Sequence, residues 1–277
     1  MEPAGLINKN PAPELSPPPR TGDSADVRLT VVIPVYNCGS WVIPKLDQVI
    51  EYFLRREARW ELIVVDDGSQ DDTAEVIRNH FKELQFASLL ALSPNRGKGA
   101  AVMAGLRTGR GVYRLFMDCD LAYPLTEASK LIEALESGAD VAVANRRLPE
   151  SICQLRPFLF KQVYSRYRYG ELFNHFIRFL GLTRSTDTQA GLKGIAGETI
   201  KVLENMTVSR FAFDIELLHL FELHHKRIIE VPIVYGFLDE ESSIKIIKDG
   251  WRMVLEVFKI KLNSVSGRYK LDPGQTT

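Results

Sequence analysis

Cysteine is scarce in this 277-residue chain: there are three, Cys38, Cys119 and Cys153, set far apart. An odd number at such spacing excludes a closed disulfide framework and a zinc site with paired ligands, and makes a reducing, cytoplasmic setting the expectation. An excess of either charge is also missing, with 35 Lys and Arg against 35 Asp and Glu. The composition therefore builds no basic field that would gather nucleic acid, and no nucleic-acid partner is expected. Long apolar runs are absent too. No stretch approaches the roughly 20 residues needed to cross a bilayer, and the N-terminus has no basic region followed by an apolar one. Neither a transmembrane helix nor a secretion signal is expected, and no internal repeat recurs.

Proline, by contrast, is concentrated in residues 1–27, with Pro3, Pro11, Pro13 and the run Pro17, Pro18, Pro19 among small polar residues. Such a segment cannot bury enough apolar surface to order itself and is expected to be a disordered tail. From Leu29 the runs LTVVIPVY, WELIVVDD, FASLLAL, VYRLFMD and ADVAVAN alternate with helical patterns over residues 40–57, 71–81, 98–107 and 125–135. That alternation predicts an α/β fold, a mostly parallel sheet with flanking helices around one core. Ligands of such sheets sit at the carboxyl ends of the strands. The residues to inspect are therefore Pro34 to Asn37, Asp66 and Asp67, Asp118 to Asp120, and Asn145 to Arg147.

Three motifs fall at these ends. Asp66, Asp67, Gly68 and Ser69, then Asp71, Asp72 and Thr73, close one strand and open a helix. A carboxylate there can accept hydrogen bonds from a base or ribose, and the same acids would serve equally as turn and cap residues. Asn95, Arg96, Gly97, Lys98 and Gly99 open another helix, where backbone can approach a phosphate closely and Lys98 adds positive charge; a plain loop is the other reading. Asp118, Cys119 and Asp120 directly follow the apolar run LFM. Two carboxylates one residue apart can both reach one divalent cation, and Mg²⁺ takes one or two carboxylates plus substrate phosphates.

In this order IPVYN (33–37), VVDDGSQDDT (64–73), NRGKGAAV (95–102) and DCD (118–120) resemble glycosyltransferase family 2, whose fold is GT-A, a Rossmann-like sheet. DTQAGLKG (187–194), FAFDIELL (211–218) and EVPIVY (230–235) are similar to the dolichyl-phosphate β-glucosyltransferases and bacterial polyprenyl-phosphate relatives. The resemblance implies a GT-A domain over residues 28–237, its nucleotide-sugar half at 28–147 and its acceptor half at 148–237, followed by an amphipathic helix and tail at 238–277. It implies that Pro34, Tyr36 and Asn37 line the base and ribose pocket with Asp66, that Asp67 contacts uracil, and that Lys98 and Cys119 lie near the nucleotide. Asp118 and Asp120 are implied as catalytic ligands of Mg²⁺ or Mn²⁺, and Asp187 and Gln189 as sugar contacts. The chain departs from many members in having Cys38 where they have Glu, and from some in having Ala122 where they have a polar residue.

On the acceptor side the resemblance matches Arg146, Lys161 and Ser165 to residues that bind a lipid phosphate. Residues 156–182 interleave aromatics with cations, as at a membrane interface, and Ile247, Trp251, Val254, Leu255, Phe258 and Leu262 recur at helical spacing beside lysines and arginines. Either helix could instead pack its apolar stripe on the domain. The leading expectation is inverting transfer of glucose from UDP-glucose to a polyprenyl or dolichyl phosphate at the cytoplasmic face of a membrane, with peripheral contact. The alternative is a soluble transferase acting on an alcohol, which needs a general base; Asp214, with Glu216 behind it, is the candidate.

Overall fold

The computed structural model describes residues 27–57, 59–154, 160–236 and 246–270, and of 160–167, 169 and 246–250 the backbone alone. The proline-rich segment and the last residues of the chain lie outside it.

The first half of the chain folds as its pattern predicts. Strands β1 (Leu29–Val35), β2 (Trp60–Asp66) and β5 (Val141–Asn145) are buried along their whole length. They are largely apolar because both faces of a parallel sheet are covered. With β3 (Ala87–Ala91), β4 (Tyr113–Met117), β7 (Leu192–Ala196) and β8 (Ile228–Pro232) they form a seven-stranded sheet in the order β3-β2-β1-β4-β7-β5-β8. All neighbours run parallel except β7, which is antiparallel to both β4 and β5. A two-stranded parallel ribbon pairs β6 (Ile152–Gln154) with β9 (Val234–Gly236). The strand order grows outward from β1 to β3 and then returns past β1 to β4, so the crevice at the carboxyl ends of β1 and β4 is the topological switch point.

Alternate strand residues feed two cores. Val31, Ile33, Leu62 and Leu115 meet α1 (Ile43–Leu54), α2 (Thr73–His80) and α4 (Leu125–Glu136) on one face. Val32, Ile63, Val65 and Phe116 meet α3 (Lys98–Thr108), α6 (Phe213–Leu223) and α7 (Ile246–Val265) on the other. Helix α5 (Phe160–Phe179) joins that second layer through Ile177. Every residue of α6 from Phe213 to Phe221 is buried, including Asp214 and Glu216. A β-carbon on Gly99 would lie 2.5 Å from the Phe213 β-carbon, so glycine lets the first turn of α3 touch α6. That contact brings Lys98 beside Asp214, and it is how the fold draws the later part of the chain to the switch point.

Candidate active site

The loops that follow β1, β2 and β3 are stitched together by their own polar groups. Asn37, in the left-handed region at φ 49°, accepts from the Gln70 amide at 2.8 Å, while its own amide donates to Ser69 Oγ at 2.8 Å. Asp66 accepts from the Ser69 amide and hydroxyl. Asp67 accepts from the Arg96 amide at 2.8 Å, the Gly97 amide at 2.7 Å and Asn95 Nδ2 at 2.9 Å. Its carboxylate thus holds the loop that opens α3, and the acid on the pocket wall is Asp66. The pocket, about 550 Å³, lies between Tyr36, Asp66, Gly68, Pro94, Asn95 and Arg210. Pro34, expected on that wall, is a buried residue inside β1, paired in register with Val65.

Immediately after β4 the chain turns through Asp118, Cys119 and Asp120. Leu121 takes a positive φ of 55°, its amide bonds back to the Asp118 carbonyl, and Asp120 accepts from the Ala122 amide at 3.0 Å. Lys98 Nζ lies 2.5 Å from Asp118 Oδ1. Burial opposes the charge on Lys98, but Asp118 and Asp214 outweigh it and hold its pKa above the ordinary lysine range. Behind Lys98, Asp214 pairs at 2.5 Å with Lys193, which is fully buried and also donates to the Ala190 carbonyl at 2.7 Å. Burial raises the Asp214 pKa, while Lys193 and Lys98 pull it down. Cys119 meets Cys38, and that contact and burial push its thiol upward. Among the described residues no cluster of three or more His, Cys, Asp or Glu could hold a metal ion. Two carboxylates on one turn fit a hard cation such as Mg²⁺ or Mn²⁺, which completes its shell with water and phosphate oxygens.

Gly191 is built into this turn. Its carbonyl accepts from the Asp118 amide at 3.1 Å and its amide donates to the Tyr123 hydroxyl at 3.2 Å. A β-carbon there would fall 2.0 Å from Asp118 Oδ2. Buried Tyr123 feels the charges of Arg146, Asp187 and Asp118 at once, and so links the Asp118 turn to the Arg146 and Asp187 pair.

On that side Asp187, wholly buried, accepts from Arg146 Nε at 2.7 Å, Arg146 Nη2 at 2.8 Å, the Arg146 amide at 3.0 Å and the Gln189 amide at 3.3 Å. Burial raises its pKa, but Arg146 overrides this and holds it at about 2. The Arg146 side chain is 29% exposed. Asp187, expected at the sugar, is here the residue that aims Arg146. Lys161 and Ser165 sit on α5, but their side chains lie outside the described residues. Glu216 accepts from the Thr207 and Val208 amides and the Thr207 and Tyr269 hydroxyls, which makes it an anchor for the loop before α6.

Sequence reasoning pointed to Asp66, Lys98, Asp118, Asp120 and Arg146, and the structure places Asp66 on the pocket wall, Lys98 against Asp118, and Arg146 against Asp187. That reasoning missed Tyr123, Gly191, Lys193 and Arg210, whose parts depend on contacts far along the chain.

A model of glycosyl transferase family 2 matches residues 30–188. A dolichyl-phosphate beta-glucosyltransferase of Trichomonas vaginalis is 34% identical over 258 residues, covering 87% of this chain and 73% of the relative. The human protein of that name is 28% identical over 271 residues, covering 92% and 81%. Among solved structures, a Pyrobaculum calidifontis mannosyltransferase in complex with GDP-Man and Mn²⁺ superposes with a TM-score of 0.58 at 20% identity, covering 96% of this chain and 70% of the other. Glucosyl-3-phosphoglycerate synthase from Mycobacterium tuberculosis, solved with Mn²⁺, UDP and glucosyl-3-phosphoglycerate, has a TM-score of 0.59 at 19% identity, covering 90% and 82%. These two likenesses are likenesses of fold.

Proposed function

The chain belongs to glycosyl transferase family 2, as a nucleotide-sugar-dependent hexosyltransferase of GT-A fold, and from that premise we propose that it moves glucose from UDP-glucose, with inversion, onto a polyprenyl or dolichyl phosphate. The observation that carries this reading is the state of the buried acids beside the metal turn. Asp187 is gripped on both oxygens by Arg146, and Asp214 is paired with Lys193. An alcohol acceptor must lose a proton as it attacks and requires a free carboxylate base. A phosphate acceptor is largely ionised near neutral pH and requires none. The names of the relatives point the same way.

In this reading the base and ribose lie in the pocket beside Tyr36 and Asp66, with Asn37 and Asp67 holding its loops in place. Asp118 and Asp120 hold Mg²⁺ or Mn²⁺, which when bound supplies a Lewis acid for the departing diphosphate. Lys98 stays protonated beside it, at the N-terminus of α3, where unpaired amides already favour anions. Arg146, aimed by Asp187, receives the acceptor phosphate together with Lys161 and Ser165. The enzyme works at the cytoplasmic face of a membrane with peripheral contact; no helix among the described residues is long and apolar enough to span one.

The test is transfer of labelled sugar from UDP-glucose to short-chain polyprenyl phosphate with Mn²⁺ or Mg²⁺, beside Asp120→Ala. Metal-dependent labelled lipid that disappears in the variant is expected. Transfer to soluble alcohols with no lipid product would overturn the reading and return attention to Asp214 as base.

A further inference from the structure

Helix α7 carries two apolar stripes, and the domain uses one. Met253, Val257 and Ile260 are buried in the second core layer. Trp251, Leu255, Phe258, Leu262 and Val265 repeat at the same helical spacing yet are 72, 65, 45, 70 and 76% exposed. At about 100° per residue the exposed stripe is centred roughly 150° around the helix from the buried one, so packing the first necessarily turns the second outward. The Phe258 ring meets Phe176 of α5 edge-on with centroids 5.9 Å apart, and α5 extends the patch with Leu172 and Phe179, the latter 87% exposed.

Charge decides what covers it. Arg252 and Lys259 border the stripe on one side and Lys261 on the other, with Arg178 next to Phe179; the single acid between Trp251 and Val265, Glu256, falls toward the buried side. An apolar strip with a tryptophan at one end and cations along both margins matches a bilayer interface, where apolar groups enter the acyl boundary and cations meet anionic headgroups. Helix α5 also ties the patch to the acceptor side: a β-carbon on Gly170 would lie 3.3 Å from Arg147 Nη2. The nine helical steps from Gly170 to Phe179 span only about 13 Å.

We propose that the outward stripe of α7, continued by Leu172 and Phe179 of α5, is a docking surface for an anionic lipid bilayer. It deepens the lipid-phosphate reading, on which it rests, by locating the membrane contact and setting Arg146 and Arg147 near headgroup level.

The experiment is binding of the full chain to vesicles of phosphatidylcholine with and without phosphatidylserine, in the absence of donor and acceptor. It is read by co-sedimentation and by Trp251 emission, assigned with Trp251→Phe. Binding that needs phosphatidylserine, with a blue-shifted Trp251, is expected. The double variant Leu255→Glu/Leu262→Glu, on exposed positions, should keep the wild-type melting temperature and transfer to short-chain acceptor, while vesicle affinity falls about tenfold or more. Wild-type protein that ignores vesicles, or binding untouched by the double variant, overturns the proposal. A dimer that the double variant dissolves, without vesicle binding, overturns it in favour of a second copy. Trp251 already shielded from quencher without lipid overturns it in favour of another segment of this chain. Vesicle binding that persists when lipid-phosphate transfer fails would sink the proposed reaction and leave the surface standing.

Discussion

Replacing Asp187 with Asn separates a positioning role from a sugar contact. The side chain is wholly buried, its carboxyl is held near 2 against an ordinary 3.8, and both oxygens face Arg146. At about 1.4 kcal/mol per tenfold change in proton affinity, that depression corresponds to roughly 2 to 3 kcal/mol of folding stability at neutral pH. The sign follows from which state takes up the proton first. Below about 3.8 the unfolded chain is protonated while the folded carboxylate is not, so the contribution is full above that value and is lost as pH falls through 3.8 toward 2. Urea unfolding of wild type and Asp187→Asn from pH 3 to 7 should therefore show a gap of about 2 kcal/mol or more at pH 6 to 7 that narrows below about pH 4. Breaking a buried pair leaves the other charge uncompensated, and the partial exposure of Arg146 keeps the loss at the lower end of the usual range. In kinetics, a released Arg146 should raise KM for the acceptor phosphate about tenfold or more and leave KM for the donor in place. A gap independent of pH, or a defect confined to the donor, would refute the reasoning.

The remaining predictions follow the same geometry. Gly191→Ala directs a β-carbon at Asp118 Oδ2, a movable group, so melting should shift by only a few degrees, about 1 kcal/mol, while the Mn²⁺ concentration for half-maximal activity rises at least about tenfold. Lys193→Met strands Asp214 in the core and should cost about 3 to 5 kcal/mol in urea unfolding, whereas Lys193→Met/Asp214→Leu should recover most of it. Glu216→Gln keeps the shape of that side chain but turns part of it into a donor among the Thr207 and Val208 amides; about 2 kcal/mol should be lost by calorimetry.

The sheet was legible where its strands are mostly apolar runs, because burial on both faces of β1, β2 and β5 favours apolar side chains and admits Thr30 and Glu61 as a hydrogen-bonded pair. Strand β7 was not legible. LKGIA carries a lysine and a glycine, and buried Lys193 is tolerated there because Asp214, 21 residues on, and the Ala190 carbonyl receive its ammonium. The turn that carries Asp118 and Asp120 could be read because both acids directly follow an apolar run. The role of Asp187 could not, since its partner Arg146 is 41 residues away. Asp67 shows the same limit: an acid closing a strand reads as a ligand contact, and the Arg96 and Gly97 amides that bond it belong to the next loop.

The buried Lys193 and Asp214 pair is best understood through the charge of the whole crevice. A buried ion pair is seldom the most stabilising filling for its volume, because desolvation offsets most of the attraction. Its value here is to the neighbours: Asp214 faces Lys98 as well as Lys193, and Lys98 faces Asp118. Within this cluster alone, Asp118, Asp120 and Asp214 against Lys98 and Lys193 leave one negative charge in excess. A doubly charged ion held there, as proposed, would reverse that sign and make the loaded site attractive to a diphosphate. Without Lys193 the same ion would only bring the crevice to neutrality. The variant lacking both Lys193 and Asp214 preserves the original sum, so it should retain much of the transfer activity that Lys193→Met alone loses. An inactive double variant would mean instead that the Asp214 carboxylate itself takes part in the reaction.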